Sequence, residues 1–218
     1  MAFDFYTSLE KGCAKLGVDL DKAAKDNLYI YFLELKKWSK KVNLIAKSTG
    51  DEEIVENHFV DSLALLRVFP KNGGLVDIGT GAGLPGLICK VACPEMKIFL
   101  VEPRAKRVSF LQHIVRSLKL ENVNIYCNRI EEIPELATNP DVTHITSRAV
   151  SDIKGFVEMT EAFAEHPALR LCLKGPKWRE ELAEAKNILA EYGLQTLQTD
   201  EYALPVSKAT RALVVLKK

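Results

Sequence analysis

The sequence predicts an α/β fold: a seven-stranded, mostly parallel sheet with an antiparallel last strand, helices on both faces, and an N-terminal helical extension. Three observations carry this. From Leu75 onward, short apolar runs alternate with helix-length segments, the pattern of parallel strands buried on both faces. Before that point Leu28, Tyr31, Phe32, Leu35 and Trp38 return at three- and four-residue spacing, and no glycine or proline interrupts Asp21 to Asn43. Near the end, Tyr202 to Thr210 is too short for a crossover helix and contains Pro205, so the last strand returns as a hairpin.

Taken in order, the first seventy residues read as helical, with a second amphipathic stretch over 52–69 closed by Pro70 and the Gly73-Gly74 turn. The extension is therefore placed at 1–72 and the sheet-bearing core at 73–218, in one compact unit. Strands are expected near 75–79, 97–102, 123–127, 142–147, 169–174, 194–201 and 211–217. Helices are expected near 85–93, 104–118, 152–164 and 178–192. A chain of 218 residues supports one sizeable core rather than two ordinary domains.

A composition 47% apolar and 27% charged, with mean hydropathy near zero, is that of a soluble globular protein. No basic segment followed by an apolar one opens the chain, and no apolar run approaches the roughly 18 residues that span a bilayer. A cytoplasmic, membrane-free protein is expected. The five cysteines, Cys13, Cys89, Cys93, Cys127 and Cys172, are odd in number and lie in apolar surroundings, which suits reduced core thiols. Cys89 and Cys93 share a helix face, but no second pair completes a zinc site and no metal is expected. A net charge of +1 does not mark a nucleic-acid binder, so any such role rests on local patches.

The chemistry-bearing motif follows the first strand. Leu75 to Ile78 runs directly into Gly79-Thr80-Gly81-Ala82-Gly83-Leu84-Pro85-Gly86 and then a helix. Glycines let the backbone turn sharply and approach a ligand, and a helix amino end offers N–H groups and positive potential. Pro85 suits the first turn of that helix. Gly81, Gly83 and Gly86 also satisfy the dinucleotide fingerprint, so the turn alone admits S-adenosylmethionine or NAD. The next strand ends in Glu102, about twenty residues past the turn, where a carboxylate can accept both ribose hydroxyls of an adenosine.

Further motifs, in their order and spacing, resemble the RsmG (GidB) family of bacterial 16S rRNA guanine-N7 methyltransferases. They are Lys37 to Leu44, His58 to Leu63, Val76 to Gly86, Lys106 to Leu111, Asn128 to Glu132, Ser147-Arg148-Ala149, Leu173-Lys174-Gly175 and Arg211 to Val215. Two positions depart from the pattern. Ile45 stands where many relatives have Thr, and Pro103-Arg104 follow Glu102 where a Ser-containing turn is commoner. The resemblance implies a Rossmann-like class I methyltransferase fold, S-adenosylmethionine as cofactor, and N7 of one guanine near the decoding centre as acceptor. It further implies 16S rRNA as partner, in the 30S subunit or an assembly intermediate, and a monomeric chain. With the turn and the acid, the expected cofactor set is Asp77, Gly79, Gly81, Gly83, Leu84, Glu102, Ile130, Glu131 and Arg148.

Guanine N7 carries an in-plane lone pair and no proton, so methyl transfer to it needs alignment rather than a general base. The sequence agrees: no Asn/Asp-Pro-Pro-aromatic element follows the strand near 142–147, and no Pro-Cys pair sits at a strand end. Arg148, Arg129 and Arg211 are the candidates for positioning the base, since guanidinium donors suit guanine O6. A strand-end salt bridge is the plainer role for Arg148. His58 and Asp61, three apart on a helix, brace the extension against the turn or act in catalysis. Asn43 caps its loop or meets substrate. Lys37, Lys40, Lys41, Lys106, Arg107 and Lys174 are the RNA-binding candidates, with Lys36, Arg104, Lys217 and Lys218 as further cations; Lys174 reads equally as a solvated strand end. Trp38 continues the apolar stripe and reads as core before stacking platform. Two other function classes compete: an NAD-dependent oxidoreductase using the same glycines, and an RNA-binding assembly protein without turnover.

Overall fold

The computed structural model describes residues 3–70 and 73–218, so the expected boundary at 72/73 falls on residues partly outside those described. Two aspartates start the extension. Asp4 caps α1 (Phe5–Leu16) by accepting from Thr7 N–H at 2.7 Å, and Asp21 caps α2 (Lys22–Ser39) by accepting from Ala24 N–H at 2.7 Å. α2 stops at Ser39, before the end of the stretch from Asp21 to Asn43 that no glycine or proline interrupts. The N–H groups of Lys41 and Val42 both donate to Trp38 O, which unwinds the last turn and lets residues 43–45 cross toward the sheet. Trp38 is half-buried and packs against the core, its ring 5.6 Å from that of Phe110 and 5.2 Å from that of His113.

The stretch expected as one helix over 52–69 changes pitch along its length. It begins as α3 (Asp51–Ile54), widens to a π-helical turn at Val55–Val60, resumes as α4 (Asp61–Leu63) and tightens to a 3-10 turn at Ala64–Arg67. The widening has a structural consequence. Asp61 N–H bonds Glu56 O, five residues back, while the Asn57 carbonyl accepts from a side chain of the sheet.

The sheet has seven strands: β1 (Gly74–Ile78), β2 (Lys97–Val101), β3 (Val123–Tyr126), β4 (His144–Arg148), β5 (Leu169–Lys174), β6 (Gln195–Ala203) and β7 (Thr210–Lys217). Their order is β3-β2-β1-β4-β5-β7-β6, parallel except for β7, which runs against β5 and β6. This is the expected sheet with its reversed last strand. The register sets Arg148 beside Leu173, Lys174 beside Ala212 and Tyr202 beside Arg211, so these strand ends meet at the carboxyl edge next to the turn after β1.

Helices cover both faces. α5 (Gly86–Ala92) and α6 (Ala105–Ser117) lie on one, where they share a single apolar cluster with α1 and α2 of the extension. On the other face α7 (Ile153–Met159), α8 (Trp178–Glu184) and α9 (Lys186–Glu191) bury a second cluster. Two of these are shorter than the sequence suggests. α7 ends where Thr160 Oγ1 bonds back to Phe156 O and Val157 O, and the expected helix over 178–192 is divided at Ala185.

The extension meets the glycine turn through Tyr31, whose hydroxyl donates to Ala82 O at 2.5 Å. Gly83 makes that approach possible. A Cβ there would lie 2.3 Å from Tyr31 Oη and 2.8 Å from Leu87 Cδ1, and its φ of +80° is left-handed. Gly83→Ala is therefore expected to lower the unfolding free energy in urea by roughly 2–4 kcal/mol. Adding Tyr31→Phe should recover part of that loss; no recovery would place the clash elsewhere.

Candidate functional site

The carboxyl edge of β1, β4 and β5 opens into a cavity of about 650 Å³, within the range of small-molecule sites. Gly79 to Ala82 and Leu84 form one wall. Arg148, Lys174 and Arg211 supply cations to another, and Asn57, His58 and Asp61 close it from the extension.

Two buried carboxylates hold the turn from beneath. Asp77 Oδ2 accepts from Thr80 Oγ1 at 2.6 Å and from Gly86 N–H at 2.8 Å, while Oδ1 is buried without a partner. The first N–H of α5 is thus taken by Asp77, which corrects the expectation that this helix end offers it to a ligand. Burial pushes the Asp77 carboxyl up to about 6, against the hydrogen bonds that favour its charge. Asp77 is fully buried and does not line the cavity, so its place is that of a brace. Gly83, turned toward Tyr31, does not line it either. Gly79 and Gly81 do. Gly81 has φ +59°, and a Cβ on it would make only ordinary contacts, with Arg107 Nη1 at 3.7 Å and Gly79 O at 3.8 Å.

Glu102 is 2% exposed and fully engaged. Its Oε2 accepts from Gly81 N–H at 3.0 Å, its Oε1 from Arg104 N–H at 2.9 Å, and Arg107 Nη1 covers Oε2 at 3.4 Å. Arg107 also donates to Asn43 O at 3.2 Å, tying the crossing segment over the acid. Beyond it, Ile130 is buried in a 3-10 turn and Glu131 is exposed, both outside the cavity.

Arg148 joins sheet to extension. It donates to Asn57 O at 2.8 Å, lies 3.4 Å from Asp61 Oδ2 and faces His58 Nδ1 at 3.4 Å. Burial and the neighbouring Arg148 hold the His58 imidazole down at about 4, so it stands neutral at pH 7 with Nδ1 toward a donor. Asp61 Oδ1 accepts from Tyr202 at 2.9 Å and lies 3.4 Å from Arg211 Nε. One carboxylate therefore spans α4, β4, β6 and β7.

Other expected site residues separate. Arg129 follows β3, is exposed and does not line the cavity, because β2 and β1 stand between it and β4. Lys174 is buried in the cavity wall, donating to Ser151 O at 2.7 Å and 3.1 Å from Glu181, and is not part of an exposed phosphate track. Lys217 and Lys218 lie at the opposite edge, since β7 runs backwards; Lys218 pairs with Glu165. Lys37, Lys40, Lys41 and Lys106 are exposed, with Lys37 paired to Glu34.

Several contributors escaped sequence reasoning. Glu56 is buried and accepts from the N–H groups of Val206 and Ser207, clamping the β6–β7 loop to the extension. Tyr202 reaches Asp61 from β6. Ala149, at φ +58°, turns Val150 over Gly79, where a Cβ would meet Val150 Cγ2 at 2.7 Å. Ser151 lines the cavity, and its Oγ is buried without a hydrogen-bond partner. Among the described residues, no group of three or more His, Cys, Asp or Glu could hold a metal ion, and no helix is long and apolar enough to cross a membrane.

The family model for rRNA small subunit methyltransferase G, GidB, matches residues 24–211. A Desulfotalea psychrophila protein named ribosomal RNA small subunit methyltransferase G is 63% identical over 217 residues, covering 100% of both chains. One of the same name from Geotalea uraniireducens is 38% identical over 96% of this chain and 95% of its own. Among solved structures, a SAM dependent methyltransferase from Aquifex aeolicus aligns with a TM-score of 0.54 at 20% identity, over 86% of this chain and 98% of that one. TYW2 of M. jannaschii, in complex with AdoMet, aligns with a TM-score of 0.56 at 11% identity, over 72% of this chain and 74% of its own. The structural likenesses speak for the fold alone.

The buried Asp77 makes a testable signature. Its folded pKa is raised, so its contribution to stability is full below the unfolded value near 3.8 and is lost as pH rises through about 6. Compared with Asp77→Asn in urea denaturation, the wild type should lose about 2–3 kcal/mol of relative stability between pH 4 and pH 7. A pH-independent difference would mean that the carboxyl titrates normally in the folded protein.

Proposed function

Because the chain belongs to the rRNA small subunit methyltransferase G (GidB) family, we propose that it methylates N7 of a guanine in 16S rRNA by positioned direct transfer, without a general base. Its family makes it an S-adenosylmethionine-dependent rRNA methyltransferase.

One observation supports N7 above the rest: the ionisable groups around the cavity are committed. Asp61 is shared among Arg148, Arg211 and Tyr202; Glu181 faces Lys174; and His58, held near 4, is a weak proton acceptor at neutrality. An exocyclic amine or a hydroxyl must lose a proton when methylated. Guanine N7 need not, so a wall of positioned cations suffices for it. When bound, S-adenosylmethionine would supply a sulfonium methyl group for the N7 lone pair, with the C–S electrons returning to sulfur. Arg148 and Arg211, fixed through Asp61, would donate toward the O6 edge and hold the base in line.

The cavity fits the donor. Gly79 and Gly81 bring the backbone to the cavity wall, and Leu84 offers apolar surface there. Glu102 would take the ribose hydroxyls, and Ile130, Glu131 and Arg148 would complete the set that holds the donor. Asp77 acts from beneath by fixing the turn. The exposed Lys37, Lys40, Lys41, Lys106 and the part-exposed Arg107 attract RNA phosphates. The enzyme works as a monomer in the cytoplasm, on the 30S subunit or an assembly intermediate.

Incubation with unmodified 30S subunits and labelled donor should place one methyl group on N7 of a 16S guanine by mass mapping; label on another atom, or none, overturns the reading. Arg107 gives a second test, because ribose binding at Glu102 requires it to yield the carboxylate. Arg107→Ala should therefore bind S-adenosylhomocysteine in calorimetry at least as tightly as the wild type. An affinity weaker by about tenfold, roughly 1.4 kcal/mol, would instead make Arg107 a ligand of the cofactor.

A further inference from the structure

Beside the C-terminal end of α2 the extension holds a second cavity, of about 350 Å³, at the small end of ligand-site volumes. Lys36 of α2, Lys40 just past its end, Ile45, Lys47 and Thr49 of the crossing segment, and Ile54 of α3 bound it. Its walls are of two kinds. Ile54 is buried and Ile45 half-buried, giving the cavity an apolar side. Lys40 and Lys47 are exposed and make no ion pair among the described residues. Of the other lysines nearby, Lys36 is tied to Asp51 at 2.6 Å and Lys37 to Glu34 at 3.0 Å, while Lys41 is exposed and, like Lys40 and Lys47, makes no ion pair among the described residues.

Two uncompensated ammonium groups at the rim of an apolar recess match a ligand that is flat and apolar at one end and anionic at the other. A nucleotide has both properties, and a base held against aliphatic side chains keeps its faces dry while its phosphate meets the lysines. The placement adds to this. Leu44 lines the cavity at the glycine turn and Ile45, the next residue, lines this one, so the crossing segment is a wall common to both. Arg107 anchors that wall through Asn43 O.

We propose that this cavity is a second nucleotide subsite, which receives an unpaired nucleotide of the RNA near the acceptor base, its base against Ile45 and Ile54 and its phosphate between Lys40 and Lys47. The proposal rests on the rRNA-methyltransferase reading. Binding at two recesses either side of one wall fixes the register of the strand, which a single recess does not. It also explains why attraction and recognition can separate here: the lysines act at a distance, whereas the recess acts only on contact.

The test separates filling from charge. Ile45→Trp fills the recess and keeps both lysines; Lys40→Ala with Lys47→Ala keeps the recess and removes the charge. With 16S rRNA in unmodified 30S subunits as acceptor, Ile45→Trp should raise KM by about tenfold, the size expected when one base is shut out of its packing surface, with the salt dependence of the wild type. The double lysine variant should raise KM and flatten the salt dependence of affinity, by about 0.7 in slope for each single-strand phosphate no longer neutralised. S-adenosylhomocysteine affinity, measured on each variant, checks that the fold is intact. A wild-type KM for Ile45→Trp overturns the subsite, even if the lysine variant is impaired, because charge alone then accounts for the effect. Wild-type KM and salt dependence in the lysine variant overturn it equally. Failure of the wild type itself to label 16S rRNA strikes the rRNA-methyltransferase reading instead.

Discussion

The carboxylate of Asp61 is the constraint on which the site depends. It is 6% exposed and lies within 3.4 Å of two guanidinium groups, Arg148 from β4 and Arg211 from β7, while accepting a hydrogen bond from Tyr202. Without a shared anion, two arginines converging on one cavity would repel each other at low dielectric. With it, they become a fixed wall of donors. Breaking a buried pair of this kind typically costs about 3–5 kcal/mol because the partners are left uncompensated. The extension is therefore part of the site, supplying the counter-charge that lets the sheet present its cations.

The turn after β1 is held by the same logic on a smaller scale. Asp77 spends one oxygen on Thr80 and Gly86, and Glu102 spends both of its oxygens on Gly81, Arg104 and Arg107. These acids set the backbone from below and from the side, leaving Gly79 and Gly81 facing the cavity. The division of labour among glycines follows. Gly81 turns at the cavity wall beside Arg107, whereas Gly83 leaves room for Tyr31.

The alternation of apolar runs made the sheet and its reversed last strand legible in the sequence, because strand and helix periodicities are local properties. The glycine turn and Arg148 were legible for a related reason: the motif fixes a place in the topology. What local pattern does not encode is direction and partnership. Arg129 and Arg148 both follow strands, yet strand order puts β2 and β1 between them. Lys217 belongs to a basic cluster in sequence, but the hairpin carries it to the far edge. Lys174 reads as a surface cation until Ser151 and Glu181 enclose it. The π-helical turn had no signature in composition; it is defined by the Asp61-to-Glu56 bond and by the Arg148 contact to Asn57, a residue of another element 91 positions away. Glu56, Tyr202 and Val150 matter through such distant contacts, which periodicity does not report.

The clamp between Glu56 and the β6–β7 loop bears on how the protein is made. The contact joins residues 150 positions apart, and the Asp61 bond to Tyr202 joins residues 141 apart. Closing such separations is slow compared with forming helices. On the ribosome, α2 and the glycine turn emerge long before β6 and β7, so a nascent chain already containing the turn still lacks Tyr202 and Arg211. The most distant contacts are also the ones that finish the cavity. Catalytic competence therefore arrives last, as a property of the finished chain rather than of any segment made earlier.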